Sequence, residues 1–334
     1  MKALIFKEKN KIEWTETMEP VIIEPTDIIV KIEGFTFSHA DYRPYLGQDD
    51  SVAPNTIMGH EGVGIITAVG GSVIKLKVGD RVAIGCIIHC NICEWCLRKA
   101  FANCINGGFV LGTKINGTHA EYVRVPYGDN SVVKISSTMN LADALMLSDV
   151  LPTGYENVVK KINFQNINNI AIIGDGPIGL GILLLIKQYH KEIDVYGHHS
   201  QKLSYFEKLG AHRGYDSTKT SFNIKYDLVI ECVGNDRGTF EQAQQMINFN
   251  GTIITIGVFN KAVVFNLQQL WYQNITVHTG ILNAYTLDEL VAKIDAKEIS
   301  PMQLVTKVFN KDQVLQAYEA FMDKDMFKVM VKLS

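Results

Sequence analysis

The apolar run Ile170-Ala171-Ile172-Ile173 leads directly into Gly174-Asp175-Gly176-Pro177-Ile178-Gly179, and a second apolar stretch reaches Tyr189. This spacing restricts the local fold sharply. Gly174 permits a tight turn, Gly176 lets the backbone approach a pyrophosphate, and Gly179 lets a helix pack closely on its strand. Pro177 and Ile178 open the helix, whose first N–H groups have no partner within it and suit a phosphate. The motif alone is weak, so its context decides. Strand-like runs at Ile170–Ile173, Ile193–Tyr196, Asp227–Cys232, Thr252–Ile256 and Ile275–Thr279 alternate with helical ones at Pro177–Tyr189, Gln201–Leu209 and Phe240–Asn248. That alternation predicts a parallel sheet with helices on both faces, and with the glycine loop it predicts a dinucleotide site.

The second strand ends at Tyr196-Gly197-His198-His199-Ser200. A site for NAD usually holds the ribose 2′-hydroxyl with an acid about 20 residues beyond the loop. That place falls on Gly197, and Asp194 stands three residues too early. Without the acid there is no repulsion against a 2′-phosphate. His198, His199, Ser200, Lys202 and Tyr215 are candidate donors to it, so NADP is favoured over NAD. Thr153, Val233, Ile256 and Gly257 fall near strand ends and are candidate nicotinamide contacts.

Before residue 130 the texture differs. Lys2–Phe6, Ile28–Phe35, Val63–Val69, Arg81–Ile84 and Ala120–Val125 read as strands, punctuated by Gly70-Gly71, Gly79-Asp80 and Asn116-Gly117. No long amphipathic helix interrupts them, which predicts a β-rich, barrel-like domain. Leu141–Leu147, Glu156–Lys161, Leu287–Lys297 and Lys311–Asp323 look helical, and Phe327–Leu333 reads as a final strand. At 334 residues, with 47% hydrophobic and 20% charged content, two cored domains are expected. The net charge of −3 argues against a nucleic-acid partner. Met1–Phe6 is too short an apolar run for a signal peptide. Ala171–Ile186 contains Asp175, Pro177 and four glycines, so no membrane span is expected and the cytoplasm is the default compartment.

Four of the six cysteines form Cys90-x2-Cys93-x2-Cys96-x7-Cys104. Four soft ligands at that spacing suit a tetrahedral zinc closed to substrate, hence structural. An iron–sulfur cluster is the competing reading, disfavoured by the spacing. A second candidate centre is Gly59-His60-Glu61-Gly62, where glycines fence an imidazole and a carboxylate. Alone it is equally compatible with a tight polar turn.

Together these stretches resemble the zinc-containing medium-chain alcohol dehydrogenases, and most nearly the bacterial branch that includes NADP-dependent secondary-alcohol enzymes. Gly59–Gly62, Gly79-Asp80-Arg81-Val82, the cysteine lobe, Asp149-Val150-Leu151-Pro152-Thr153-Gly154 and the Gly174–Gly179 loop occur in the family's order across nearly the whole chain. The resemblance implies α/β plus β architecture. A GroES-like catalytic domain would span 1–150 and 286–334, with a zinc lobe at 86–106. A Rossmann domain with a doubly wound parallel sheet would span 151–285. It also implies a small-molecule alcohol or carbonyl substrate, and a homodimer or homotetramer. A catalytic zinc would have His60 and Asp149 as ligands and Glu61 as a neighbour able to coordinate. Such a zinc polarises the alcohol oxygen so that hydride can leave for the nicotinamide.

The chain departs from the family at Ser38-His39-Ala40-Asp41-Tyr42-Arg43. Ser38 stands where a thiolate ligand is expected, and Ala40 and Arg43 where two proton-relay groups are expected. Three readings follow. Zinc binds through His60, Asp149 and Glu61 with Ser38 close by, and the proton leaves through His39 or water. Alternatively, the protein is a zinc-independent NADPH-dependent reductase. In the third reading it binds nucleotide without catalysis. The trio His60, Glu61 and Asp149 favours the first. Phe109, Leu151 and Thr36 or Phe37 are candidates for an apolar pocket wall.

Overall fold

The computed structural model describes residues 1–333 apart from 190, 191, 235, 236 and 324. The chain divides into two compact units, Met1–Pro152 joined by Asn283–Ser334, and Thr153–Leu282.

In the first unit, seven strands form a sheet whose main path runs Val305–Asn310, Lys328–Lys332, Ile28–Thr36, Gly62–Val69, Arg81–Ile84, Val132–Lys134, with Tyr122–Val125 also paired to Ile28–Thr36. Lys2–Glu8 and Lys11–Glu16 make a separate antiparallel hairpin. The inward residues Val30, Phe35, Ile66, Val82, Ile84 and Val331 are buried together. The C-terminal strand joins this sheet through Met330 opposite Thr36, which carries the chain back to the unit where it began. One short helix, His39–Tyr45, interrupts the strands and was not legible from periodicity. Its signal is a cap. Ser38 Oγ accepts from Ala40 N, and the Asp41 carboxylate accepts from Ser38 N at 2.9 Å.

The second unit is a six-stranded parallel sheet in the order Arg213–Asp216, Ile193–Gly197, Ile170–Ile173, Tyr226–Glu231, Ile247–Thr255, Thr276–Thr279. Numbered along the chain this is 3-2-1-4-5-6, the Rossmann order, with the glycine loop on the strand beside the switch point. Several expected bounds shift in detail. The helix expected over Phe240–Asn248 ends at Met246, because Ile247 begins a longer strand with Phe249 and Asn250 out in solvent. The segment Tyr155–Val159 is a π-helix.

A polar chain crosses the buried side of this sheet. Tyr226 donates to Asp194 at 2.7 Å, so the 2.8 Å contact between the two hydroxyls is a donation from Tyr196 to Tyr226. The other Asp194 oxygen meets His212 Nδ1 at 3.0 Å. Among the described residues no helix is long and apolar enough to cross a membrane.

Candidate active site

Two glycines explain why the Gly59–Gly62 stretch is cramped. Gly59 has φ +96°, and a Cβ there would lie 2.2 Å from the His119 ring. A Cβ at Gly62 would meet Thr118 at 2.9 Å. His60 and Glu61 are thereby pressed into the interior, each 1% exposed. His60 Nδ1 lies 3.2 Å from Asp41 Oδ1, an arrangement in which the ring N–H points at the carboxylate and Nε2 is left as a donor to a cation. His60 Nε2 is buried with no hydrogen-bond partner and stands 3.7 Å from Asp149 Oδ2. Burial disfavours charge on His60, but the Asp41 and Asp149 carboxylates outweigh it and hold the imidazole up at about 10. Such a site attracts positive charge. His60, Glu61 and Asp149 place one potential ligand atom each within 4.8 Å of one another. The residues therefore fit a metal ion.

Glu61 is tied more firmly than expected. Lys328 Nζ donates to its two carboxylate oxygens at 2.5 and 2.6 Å and to Phe37 O at 3.1 Å, and Thr36 donates to Glu61 as well. Burial raises the Glu61 carboxyl and Lys328 opposes that shift. The lysine is 3% exposed. Sequence reasoning missed it because Lys328 reads as one more basic residue in a short alternating strand.

The other residues of the expected centre are spread around it. Ser38 serves as the helix cap described above. His39 is exposed and packs edge-on against Phe321 at 5.5 Å. Burial raises the Asp49 carboxyl, but the hydrogen bonds from Ser51 and then the charge of Arg43 bring it below its usual value. The Phe109 ring stands T-shaped on His60 at 4.7 Å, and Leu151 is fully buried. Cys86 was not singled out from sequence. It is fully buried, with Sγ 3.9 Å from Asp149 Oδ1.

The four cysteines converge. Cys104 Sγ is 3.5 Å from Cys90, Cys90 is 3.9 Å from Cys96, and Cys93 is 4.0 Å from Cys104. A tetrahedral zinc with bonds of about 2.3 Å sets its sulfurs about 3.8 Å apart, so the spacing fits the ion. Burial pushes the Cys90 thiol up, but the Ile92 N–H and the Asn106 side chain bring it down to about 6. Burial pushes Cys96 up to about 12. Four thiols so placed lose all their protons to solvent only when a cation binds the sulfurs.

His89 adjoins this lobe, stacked flat on Phe101 at 3.9 Å. Burial depresses its pKa from 6.5 to about 4. A histidine kept neutral by folding takes up its proton more readily when unfolded, so its contribution is complete above about 6.5 and is lost as pH falls toward 4. The difference amounts to about 2–3 kcal/mol. Urea unfolding at pH 7 and pH 5 is expected to lose less stability in His89→Gln than in the parent; equal losses would contradict this account.

In the second unit the glycine loop has the expected geometry. Gly174 has φ +123°, a Cβ on Gly176 would meet nothing, and one on Gly179 would lie 2.2 Å from Gly174 O. Gly176 caps the helix Pro177–Ile186, with Pro177 at its start and Ile178 next. Asp175 explains Gly197: a Cβ there would lie 2.5 Å from the Asp175 carboxylate. That carboxylate accepts from His198 N, His199 N and His199 Nδ1, each at 2.8 Å. Burial raises the Asp175 carboxyl, but these hydrogen bonds leave it below its usual value. His198 and Ser200 are exposed, Lys202 is buried, and Tyr215 stacks on Tyr196 at 4.9 Å.

Glu231, also missed, knots the strand ends. It accepts from Val233 N, Gly234 N and Thr239 Oγ1, while Ile256 N and Gly257 N donate to its carbonyl. Val233, Ile256 and Gly257 are brought together in this way. Thr153 starts the unit, and its carbonyl accepts from Asn157 Nδ2.

Comparison with known proteins gives this arrangement a family. Residues 24–137 match the alcohol dehydrogenase GroES-like domain and residues 177–296 the zinc-binding dehydrogenase domain. An alcohol dehydrogenase from Cupriavidus necator is 26% identical over 368 aligned residues, covering 99% of this chain and 98% of that protein. The solved structure of zinc-dependent alcohol dehydrogenase 2 from Streptococcus pneumonia, in apo form, is 32% identical with a TM-score of 0.93, covering 100% of this chain and 99% of that one. Alcohol dehydrogenase TADH from Thermus sp. ATN1 is 25% identical with a TM-score of 0.92, covering 100% of both. The chain belongs to the zinc-containing medium-chain alcohol dehydrogenase family. It is accordingly a zinc-type, alcohol dehydrogenase-like oxidoreductase acting on CH–OH groups.

Proposed function

We propose that this oxidoreductase moves hydride between NADP(H) and an alcohol or carbonyl of the secondary-alcohol, aldehyde or polyol type. It carries a structural zinc at Cys90, Cys93, Cys96 and Cys104 and a second zinc at His60 and Asp149. The observation that carries this reading is His60 Nε2, buried without a hydrogen-bond partner and aimed at Asp149. When bound, zinc would polarise the substrate oxygen and the nicotinamide would carry the hydride. The chain's own residues do the rest. Asp41 fixes the His60 ring, Phe109 covers its face against water, and Lys328 with Thr36 holds Glu61 beside it. Ala40 has no group to pass a proton, and the guanidinium at Arg43 offers donors without an acceptor, so the proton leaves by His39 or water.

A zinc-independent reductase draws on one observation. Ser38 is spent on a helix cap and Glu61 on an ion pair, which leaves two ligands. Zinc per chain, measured on protein purified without added metal, separates the readings. Two ions support the proposal, and one, at the cysteines, sinks the catalytic zinc.

For the cofactor, the support is Gly197 without a side chain and a His199 imidazole anchored by Asp175, whose carboxylate accepts three hydrogen bonds. His199→Ala is expected to weaken NADPH about tenfold, a loss of one charge-assisted hydrogen bond, and to leave NADH nearly unchanged. Equal loss of both cofactors in a fluorescence titration would rule out a 2′-phosphate role. The strand Thr276–Thr279 ends the sheet with Val277 exposed and Trp271 71% exposed nearby. A second copy pairing there would form the proposed homodimer and close that edge.

A further inference from the structure

The thiol of Cys86 touches Asp149, one residue of the candidate metal centre, from a segment different from the one where the family's cysteine is expected. Its Sγ is 3.9 Å from Asp149 Oδ1, while Asp149 Oδ2 faces His60 Nε2 at 3.7 Å. Cys86 is fully buried and His60 is 1% exposed. A lone buried cysteine is ordinary core packing. Here a second observation points to a ligand, since His60 Nε2 has no hydrogen-bond partner and aims at the same carboxylate.

The three groups sit on backbone that is stapled together. Cys86 N donates to Ser148 O at 3.0 Å, next to Asp149. Ser148 Oγ accepts from Gly62 N at 3.2 Å, two residues from His60. The segments carrying Cys86, Asp149 and His60 therefore hold one another in place. Glu61 is balanced by Lys328 and brings no net charge to a metal. Ser38, bonded to Ala40 N, has a neutral hydroxyl that ligates zinc poorly.

The geometry points to Cys86 as the thiolate ligand of the second zinc, in place of the cysteine absent at position 38. On binding, the Cys86 S–H and the His60 Nε2–H bonds would break, both protons would go to solvent, and the freed lone pairs would face the metal. Neutral His60, the Asp149 carboxylate and the Cys86 thiolate would together hold the ion and offset its two charges. This inference rests on the proposed catalytic zinc and supplies the ligand that site lacks.

The test reads metal content and spectrum together. Protein retaining its four-cysteine zinc is loaded with one equivalent of cobalt(II). A sulfur-to-cobalt charge-transfer band in the near ultraviolet is expected for the parent chain and lost in Cys86→Ser, which keeps the volume of the side chain. Zinc per chain is expected to fall from two to one in Cys86→Ser, with the far-ultraviolet circular dichroism of the protein unchanged. Ser38→Cys added to Cys86→Ser is expected to restore the band. A parent with two metals per chain and no thiolate band at the second site overturns the Cys86 assignment and leaves the catalytic zinc standing. So does a Cys86→Ser variant that binds two with undiminished affinity. A parent that binds only one overturns both.

Discussion

Lys328→Met is expected to destabilise the metal-loaded protein by about 3–5 kcal/mol. The cause is what it leaves behind. Glu61 is 1% exposed and its carboxylate is satisfied by Lys328 and Thr36. Removing the lysine strands a buried anion, whereas removing both charges does not. Lys328→Met combined with Glu61→Gln should therefore recover much of the loss, and urea midpoints of the parent, both singles and the double supply the cycle. Additive losses, or a single-variant loss under about 1 kcal/mol, would show that the pair is better solvated than its burial indicates. The same cycle bears on function. If Glu61 serves to tune the metal pocket, Glu61→Gln lowers kcat at unchanged stability of the four-cysteine lobe.

Cys90→Ala should remove the structural zinc and unfold its lobe. Three thiols no longer close a tetrahedral site, and a structural zinc supplies on the order of 10 kcal/mol to the segment that wraps it. The lobe has few other ties. The backbone of Ile88 pairs with Gly108, and Ala102 N donates to Asn283 Oδ1 at 3.0 Å. Its side chains Ile92, Leu97 and Ile105 lie 77%, 74% and 70% exposed, so little apolar burial holds it. The expected result is one zinc fewer per chain, with rapid proteolysis confined to residues 90–108. A variant that keeps its zinc, or that resists protease there, would refute the assignment. Chelation of the parent protein should reproduce the proteolysis pattern.

Much of this could be read in advance, and the reasons are local. The glycine loop declares itself because turn, phosphate approach and helix packing each demand a missing side chain at a fixed offset. The cysteine lobe declares itself because its four ligands lie within one short stretch. His60 was legible for its glycine fence. What stayed hidden depends on contacts between distant segments. Lys328 meets Glu61 across 267 positions, and Cys86 meets Asp149 across 63. Asp175, between two glycines, carries no signal of its own in the sequence, yet its carboxylate fills the space that makes Gly197 necessary. Helix His39–Tyr45 was overlooked because hydrophobic periodicity needs more than two turns to show, while its capping box was in plain sight.

The polar chain from His212 through Asp194 to Tyr226 and Tyr196 has a further consequence, for how the second unit folds. Apolar strands such as Ile170–Ile173 and Tyr226–Glu231 could slide past one another by two residues and still bury greasy surface. The hydroxyls and the carboxylate cannot. Any such slip would carry the Tyr226 hydroxyl two positions away from both Asp194 and Tyr196, leaving one Asp194 oxygen facing hydrocarbon. One carboxylate and two phenols thus act as a registration pin, making misaligned assemblies of this sheet costly and leaving the chain a single alignment in which to settle.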